Sequence, residues 1–218
     1  MSDYKTYEVR VWANGQKEWF LNGRRHREDG PAVERADGGK EWYLNGKLHR
    51  EGGPAYEHPD GRKSWYLNGK YHREDGPACE DPDGSKEWWL SGHRHREDGP
   101  AIEFADGSKS WYLHGKCHRE GGPALEMPNG DKAWFLNGRR HREDGPAIEY
   151  ANGTKYWYLN GELHREDGPA YECPDGYREW WLSDEELTFE EHRQRTSGQT
   201  CNGKIVEIDG IKYKLTEV

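Results

Sequence analysis

Residues 53–75 read GPAYEHPDGRKSWYLNGKYHRED, and the same 23-residue pattern recurs along most of the chain without an insertion or a deletion. Its plainest mark is a column of tryptophans, each 23 residues from the next. The members are Trp19, Trp42, Trp65, Trp88, Trp111, Trp134, Trp157 and Trp180. A fixed period of this size indicates stacked supersecondary units, each of which buries its apolar face against its neighbours. The sequence therefore predicts a repeat array.

Each repeat carries two turn signals. The first, as in His58-Pro59-Asp60-Gly61, suits a three-residue hairpin loop with a bulge, because Pro fixes φ near −65° and Gly adopts a positive φ. The second, as in Leu44-Asn45-Gly46, suits a two-residue type I′ turn. We therefore predict an all-β repeat array of stacked β-hairpins. It should form an elongated twisted sheet or solenoid, with a short C-terminal helix and a terminal hairpin.

The two loops also predict a register, and residues opposite one another in it share a face. The Ala, Trp, Leu and His columns then form one face, which we assign to structure because these columns do not vary within the chain. The other face contains the equivalents of Val33 and Tyr43, varies in size and polarity, and is assigned to recognition. The predicted pairs are Ala32 with Trp42, Glu34 with Lys40, Trp42 with His49, and Tyr43 with Leu48.

The two ends of the array depart from the repeat. Residues 1–18 are predicted to be a capping half-repeat, and residues 19–182 hold seven repeats and the start of an eighth. Ser183 followed by Glu186 forms a capping box, which predicts a capping helix over residues 183–195. A linker over residues 196–203 should follow.

Residues 204–218 are predicted to form a C-terminal β-hairpin. A two-stranded hairpin is marginal by itself. We therefore expect this one to dock on the helix or on another chain, which would allow a homo-oligomer through the hairpin. The residues predicted for this docking face are Val206, Ile208, Ile211, Tyr213 and Leu215.

Composition excludes several classes of partner. The net charge is −9, which argues against a nucleic-acid groove and against an anionic membrane surface. The four cysteines show no paired short spacing, so they predict free thiols rather than a zinc knuckle or a disulfide framework. No apolar run reaches the length of a signal core or a membrane span. We therefore expect a cytoplasmic protein.

The turns and aromatic positions resemble those of a known repeat family. Lys47-Leu48-His49 after Asn45-Gly46, then Pro59-Asp60-Gly61 and Trp65-Tyr66, resemble the MORN (membrane occupation and recognition nexus) repeat, whose units are also 23-residue β-hairpins. The resemblance covers about three quarters of the chain. Here His-Arg-Glu-Asp-Gly-Pro-Ala replaces the family's Gly-x-Gly, a form that resembles repeats in proteins of bacteriophages and large DNA viruses. That departure does not favour the membrane binding implied for some members of the family.

The repeated polar columns favour structural roles over chemistry. One histidine per repeat supplies one imidazole where a closed metal site needs three or four ligands, so we expect no metal, and the histidine should pack on Trp and bond a turn carbonyl. Each repeat also has a glutamate, as at Glu34, with a Lys across the hairpin and an Arg in the preceding turn, which predicts a neutralising ladder. A catalytic site must differ from its surroundings. We therefore predict no enzymatic activity and no cofactor.

The leading functional hypothesis is a non-enzymatic binding protein that engages a macromolecule through its variable columns. Tyr and Arg are often energetic at interfaces, and the viral resemblance implies a phage-encoded protein that sequesters or inhibits a host protein, as an anti-defence inhibitor does. The predicted anchors are Tyr56, Phe104, Tyr150, Tyr171, Arg25, Arg94 and Arg140. One alternative is a nucleotide sponge with grooves lined by Trp, His and Arg. The other is an oligomeric scaffold or virion-associated protein.

Overall fold

A computed structural model describes residues 6–197 together with the backbone of residues 205–208 and 211–214. The chain divides into two compact units, Met1–Pro128 and Asn129–Val218. Both are built from short antiparallel strands, and the described part of the second also holds one short helix. The all-β architecture of stacked hairpins predicted from the repeat is confirmed.

The described part of the first unit contains twenty strands. They are β1 (Glu8–Val11), β2 (Lys17–Leu21), β3 (Arg24–Arg25), β4 (Val33–Glu34), β5 (Lys40–Glu41), β6 (Tyr43–Leu44), β7 (Lys47–Leu48), β8 (Tyr56–Glu57), β9 (Lys63–Ser64), β10 (Tyr66–Leu67), β11 (Lys70–Tyr71), β12 (Cys79–Glu80), β13 (Lys86–Glu87), β14 (Trp89–Leu90), β15 (His93–Arg94), β16 (Ile102–Glu103), β17 (Lys109–Ser110), β18 (Tyr112–Leu113), β19 (Lys116–Cys117) and β20 (Leu125–Glu126).

The second unit continues the pattern and ends differently. Its elements are β21 (Lys132–Ala133), β22 (Phe135–Leu136), β23 (Arg139–Arg140), β24 (Ile148–Glu149), β25 (Lys155–Tyr156), β26 (Tyr158–Leu159), β27 (Glu162–Leu163), β28 (Tyr171–Glu172), β29 (Arg178–Leu182), β30 (Glu185–Leu187), α1 (Phe189–Thr196), β31 (Ile205–Ile208) and β32 (Ile211–Lys214).

Each repeat contributes two hairpins. The first hairpin, as in β4–β5, pairs on both sides with first hairpins of neighbouring repeats, so that a continuous antiparallel ladder runs through each unit. The second hairpin, as in β6–β7, is a separate two-stranded pair. Backbone bonds join successive second hairpins: Gly46 N–H donates to the carbonyl of Arg25 over 2.8 Å, and Arg27 N–H donates to that of Tyr43 over 3.0 Å.

The predicted turns form as expected. Asn45 and Gly46 both have positive φ, 53° and 81°, which defines a type I′ turn. Gly38 has φ of 93°, and its N–H donates to the carbonyl of Arg35 over 3.0 Å at the bulged loop. Asn and Gly are selected at these places because other residues adopt a left-handed backbone at a cost.

The observed register confirms most of the predicted pairs. Glu34 lies opposite Lys40, Tyr43 lies opposite Leu48, and the N–H of His49 donates to the carbonyl of Trp42 over 2.9 Å. The pairing of β4 with β5 ends at Val33 opposite Glu41, one step before Ala32 and Trp42.

The N–H of Trp42 donates to the carbonyl of Ala55 in the next repeat, over 2.8 Å. Glu41 already lies opposite Tyr56 of that repeat, so this bond continues the pairing of β5 with β8. This bond joins the repeats along the array.

The most deeply buried side chains are the smallest ones. Every alanine of the Gly-Pro-Ala element is 0% exposed: Ala32, Ala55, Ala78, Ala101, Ala124, Ala147 and Ala170. Full burial agrees with the assignment of this uniform column to the structural face.

The helix predicted at residues 183–195 begins later than expected. Ser183 and Asp184 have φ of 50° and 62° and take the place of Asn-Gly in a two-residue turn, after which Glu185–Leu187 pairs with β29. The helix spans Phe189–Thr196, with a capping box between Thr188 and Glu191. Strand pairing inherited from the repeat therefore overrides the local capping signal at Ser183. The predicted end, near Arg195, agrees with the structure to within one residue.

The helix covers the last strands of the second unit. Leu187 is buried, and the ring of Phe189 meets that of Trp180 edge-on at 5.4 Å. Nε2 of the buried His192 lies 2.7 Å from the carbonyl oxygen of Arg165. These contacts pack α1 against the end of the second unit.

The predicted C-terminal hairpin is present in the backbone of β31 and β32. Val206 lies opposite Tyr213, and Ile208 lies opposite Ile211, so each pair shares a face. Leu215, the linker residues 198–203 and the proposed docking of this face lie outside the described residues. Within the described residues, no helix has the length and apolar composition that a membrane crossing requires.

Candidate interaction face

One side of the hairpins carries most of the variable residues, and we call it the tyrosine face. Val33 lies opposite Glu41 in the first hairpin, and Tyr43 lies opposite Leu48 in the second. The Tyr43 hydroxyl donates to Oε2 of Glu41 over 2.8 Å, which places both pairs on this one side. The face consists of these four positions, the flanking turn position of Arg35, and their equivalents in other repeats.

In the first unit the tyrosine face contains a cleft of about 550 Å³. Its aromatic rings contact one another in a row: the ring centroids of Tyr66 and Tyr71 are 4.2 Å apart, and those of Tyr71 and Trp89 are 5.3 Å apart. The lining residues are Arg35, Glu41, Tyr43, Leu48, Tyr56, Arg62, Ser64, Tyr66, Tyr71, Cys79 and Asp81. Such a mixture of aromatic and polar groups is typical of surfaces that bind another protein.

Buried carboxylates hold the aromatic and arginine side chains in place. Glu41 is 4% exposed; it accepts from Nε of Arg35 over 2.7 Å as well as from Tyr43. Burial and the bond to Glu41 raise the pKa of Tyr43, so its hydroxyl stays protonated and remains a donor. Glu18 plays the same part for Arg25, over 2.9 Å, and this bond raises the pKa of Arg25.

The sequence interpretation missed these glutamates. It treated the residue before each tryptophan as a spacer, yet Glu18, Glu41, Glu87 and Glu179 all occupy that position. Nε1 of Trp89 donates to Glu87 over 3.1 Å, and Nε1 of Trp181 donates to Glu179 over 3.0 Å. An acid two residues before an aromatic donor was the available signal, because residues i and i+2 of an extended segment share a face.

The predicted arginines lie on the tyrosine face and stack on its rings. Arg25 lies over Tyr43 at 5.5 Å. Arg94 lies over Trp89 at 5.0 Å and over Tyr112 at 5.6 Å, and its Nε donates to Glu87 over 3.2 Å. Arg140, in the second unit, lies over Tyr158 at 5.2 Å. A ring lies beside each of these guanidinium groups, and a carboxylate also holds those of Arg25 and Arg94, which reduces the ordering cost of a contact with a partner.

The predicted aromatic anchors divide by exposure. Phe104 in the first unit and Tyr150 in the second are 45% and 43% exposed. Tyr56 and Tyr171 are half-buried; Tyr56 stacks on His58 at 6.3 Å and lines the first unit's cleft. In the same column Val33, Ile102 and Ile148 are buried core residues. The assignment of the whole variable column to recognition is therefore wrong at these three positions, where a β-branched aliphatic side chain is buried.

The second unit has its own aromatic cluster on the tyrosine face. Tyr156 is its centre, with ring centroids 4.6 Å from Tyr171, 6.1 Å from Tyr150 and 6.4 Å from Tyr158. Tyr177 meets Tyr171 at 6.0 Å and is 56% exposed. The hydrogen bond with Cys173 and burial raise the pKa of Tyr171. Every phenol of this cluster offers ring surface and a polar tip, the combination that favours contact with a protein.

On the opposite side, an arginine in each repeat has a structural role. Arg96 lies over Trp88 at 4.0 Å, and its Nη1 donates to the carbonyl of Pro100 over 3.2 Å and to Glu103 over 3.0 Å. Its Nε donates to Asp98 over 3.0 Å. Equivalent Trp–Arg–Glu contacts recur for Arg27, Arg50, Arg73, Arg119, Arg142 and Arg165. The predicted neutralisation of the glutamate column by this arginine is confirmed.

The histidines bond a turn as predicted, but the ring accepts a hydrogen bond from an N–H, whereas the prediction was a bond to a carbonyl. Nδ1 of His49 accepts from the backbone N–H of Asn68 over 3.1 Å, and Nδ1 of His72 accepts from that of Ser91 over 3.1 Å. The histidine thus satisfies a donor of the next repeat's turn rather than a carbonyl. Within the described residues, no group of three or more His, Cys, Asp or Glu side chains could hold a metal ion.

Clefts between consecutive His-Arg-Glu loops lie on this opposite side. One in the first unit has a volume of about 850 Å³ and one in the second about 700 Å³. Trp, Leu, His and Arg line them, as the nucleotide hypothesis predicted, and so do pairs of acids such as Glu97 and Asp98. Both of those carboxylates are 85% exposed. The rims of the clefts are therefore acidic.

Comparison with known proteins leaves the family open. No protein-family model matches the chain, and no curated protein is similar enough to count as a relative. The solved structures that match this chain include the G-box domain of the microcephaly protein CPAP. The structural analysis of that domain suggests a role in centriole elongation. The match covers 84% of this chain and 99% of that one at 16% identity, with a TM-score of 0.25. The resemblance to MORN repeats therefore stays a prediction from the sequence.

Proposed function

We propose that this chain is a non-enzymatic binding protein that engages a partner protein through its tyrosine face. The observation that carries the proposal is the clustering of aromatic and guanidinium groups there, held in place by buried carboxylates. Glu18 and Glu41 are 5% and 4% exposed, and each is bonded to an arginine or a tyrosine of the face. Tyr, Trp and Arg are the residues most often energetic at interfaces.

Preorganisation supports the same proposal. A side chain already fixed by a stacked ring and a carboxylate loses little conformational freedom on binding. Arg94, for example, contacts two rings and Glu87. Given the resemblance to repeats of phage and large-virus proteins, we propose a host protein as the partner. Sequestration or inhibition in the host cytoplasm would be the outcome.

The nucleotide hypothesis has weaker support. The arginines of the His-Arg-Glu clefts already bond a glutamate and a proline carbonyl, as Arg96 does with Glu103 and Pro100. The exposed groups of the rims are carboxylates, which repel phosphate. A thermal-shift measurement with ATP tests this directly, since a ligand at one hundred times its dissociation constant adds about 2.7 kcal/mol of stability. We expect no such shift.

A capture experiment with matched variants tests the proposal. The full chain, Phe104→Ser and Tyr150→Ser are each immobilised and exposed to bacterial lysate, and captured proteins are quantified by mass spectrometry. Both side chains are exposed, so their loss leaves the fold intact. Glu97→Gln, on the opposite side, is the control. A partner retained by the native chain and by the control, yet lost from either face variant, supports the proposal. Equal capture by all four proteins contradicts it.

A further inference from the structure

The first strand of the first unit has one edge that no strand of the described residues pairs with. Among the described strands, β1 pairs with β2, and its other edge faces no described strand. Its side chains are exposed throughout: Val9 is 47% and Val11 is 66% exposed, and Trp12 beyond it is 40% exposed. The last strands of the second unit are different, because α1 packs on them. An exposed edge with apolar side chains is a template for pairing with another chain.

We propose that β1 pairs antiparallel with β1 of a second copy of this chain, with Val9 opposite Val9 of that copy. The basis is the self-complementary order of Tyr7-Glu8-Val9-Arg10-Val11. In this register Glu8 lies opposite Arg10 of the second copy, and Tyr7 lies opposite Val11. The two-fold axis repeats both pairs, so that every charge meets its opposite and every apolar residue meets an apolar one.

The existing hairpin shows which side each residue occupies. Val9 lies opposite Trp19, and Arg10 lies opposite Glu18 with its guanidinium 4.2 Å from the ring of Phe20. The apolar and the charged residues of β1 therefore lie on opposite faces, as residues of an alternating strand do. A second copy added in the proposed register extends both faces without a mismatch.

Other registers are unfavourable. A shift that places Glu8 opposite Glu8 of the second copy, or Arg10 opposite Arg10, brings like charges together, and so does a parallel arrangement in register. A shift by one residue exchanges the two faces. Glu8 and Arg10 now bond each other over 2.7 Å within one strand, and this bond lowers the pKa of Glu8. In the dimer, Glu8 and Arg10 of both copies form a network of four charged side chains.

Charge exchange tests the pairing in the full chain. Arg10→Glu puts Glu opposite Glu in two places, and Glu8→Arg puts Arg opposite Arg, so each variant alone should dimerise about tenfold more weakly than the native chain. An equimolar mixture of the two variants restores every opposite pair. Sedimentation-velocity ultracentrifugation over a wide concentration range measures these states. Far-UV circular dichroism confirms that each variant is folded.

The expected result is a concentration-dependent dimer for the native chain, weak association of each variant alone, and recovery in the mixture. A native chain that stays monomeric at every concentration overturns the proposal. So does an Arg10→Glu variant that dimerises as the native chain does, or a mixture that fails to recover. If the chain associates through its C-terminal hairpin instead, the native chain, the single variants and the mixture will all dimerise to the same extent. That result would overturn the proposed β1 interface.

A disulfide tests the register independently of charge. Residues directly opposite in an antiparallel pair have Cα atoms about 4.5–5.5 Å apart, within the range that a disulfide bridges. Val9→Cys should therefore form a covalent dimer under mild oxidation. Val11→Cys should not, because its Cα lies about 14 Å from its counterpart in this register. The native chain, with its own cysteines, is the control for other crosslinks. Crosslinking of Val11→Cys in preference to Val9→Cys overturns the register.

Discussion

The backbone N–H of Asn45 donates to Nδ1 of His26 in the preceding repeat across 3.0 Å. This bond satisfies a turn donor of one repeat with a side chain of another. It also fixes the tautomer, because a ring that accepts at Nδ1 carries its proton at Nε2. Equivalent bonds recur along the column, for instance between His141 and Asn160 over 3.1 Å.

Replacing the acceptor should destabilise the array. His26→Phe keeps a buried planar ring yet leaves the Asn45 N–H without an acceptor, a loss of about 1–3 kcal/mol. His26→Gln retains an acceptor and should lose less. Urea unfolding at neutral pH measures both. Nitrogen-15 spectra of the histidines should show unprotonated Nδ1. A His26→Phe chain as stable as the native one would contradict this role.

The arginine stacked on tryptophan should not tolerate lysine. Arg96→Lys removes the planar fork that bonds Pro100 and Glu103 while covering Trp88, and we expect a loss of about 1–3 kcal/mol. The control is Lys116→Ala, an exposed position of β19 at which a change within about 0.5 kcal/mol is expected. Urea unfolding provides the comparison. Equal midpoints for the two variants would refute the structural role of Arg96.

Acid should weaken the Arg–Asp contacts of the loops. Nε of Arg73 donates to Asp75 over 2.9 Å, and this bond holds the pKa of Asp75 below its usual value. A lowered pKa in the folded state means that ionised Asp75 contributes stability above the unfolded pKa of about 3.9. That contribution disappears as the pH falls through the lower folded value.

The test compares melting temperatures of the native chain and Asp75→Asn. The native chain should melt higher at pH 7, and the difference should vanish once the pH is well below about 3.9. The variant is expected to fold, because Gly52 occupies the same place in another repeat. Glu162→Gln controls for the loss of a negative charge. A difference that persists unchanged at low pH would exclude the contact as its source.

The cap of α1 can be located by paired substitutions. Thr188→Ala removes a side chain that accepts from the N–H of Glu191, and the helix should lose about 1 kcal/mol. Ser183→Asn restores the turn residue of other repeats and should be neutral or slightly stabilising, since Ser183 has a φ of 50°. Circular dichroism during urea unfolding measures both variants. A larger loss at Ser183 than at Thr188 would mean that the helix begins where the sequence alone predicted.

Features that depend on interactions between near neighbours in the sequence were predictable, and features that depend on contacts between repeats were not. Turn residues act within four positions, so the Asn45-Gly46 and Asp60-Gly61 signals predicted two hairpins per repeat and the register between Glu34 and Lys40. The acceptor of the Trp42 N–H was not predictable in this way. Whether its N–H bonds Ala32 or Ala55 depends on how one repeat approaches the next.

The candidate site shows the same division. Arg25, Arg94 and Arg140 occupy a position that varies from repeat to repeat, and the sequence analysis selected them for that reason. The structure places each of them over an aromatic ring. The sequence did not identify Glu18 or Glu41 as buried anchors, because a glutamate beside a lysine resembles a surface residue until its surroundings are known. It also assigned the column of Val33 to recognition, although only 1% of this residue is exposed.

By itself the sequence determined the repeat, its two turns, the hairpin content and the uniform columns, since period and turn chemistry are properties of the local chain. The tertiary structure alone decided which amide bonds join the repeats, where α1 begins and which variable residues are buried. Ser183 shows the physical reason. Its side chain fits a helix cap or a turn equally well, and the pairing of Glu185–Leu187 with β29 selected the turn.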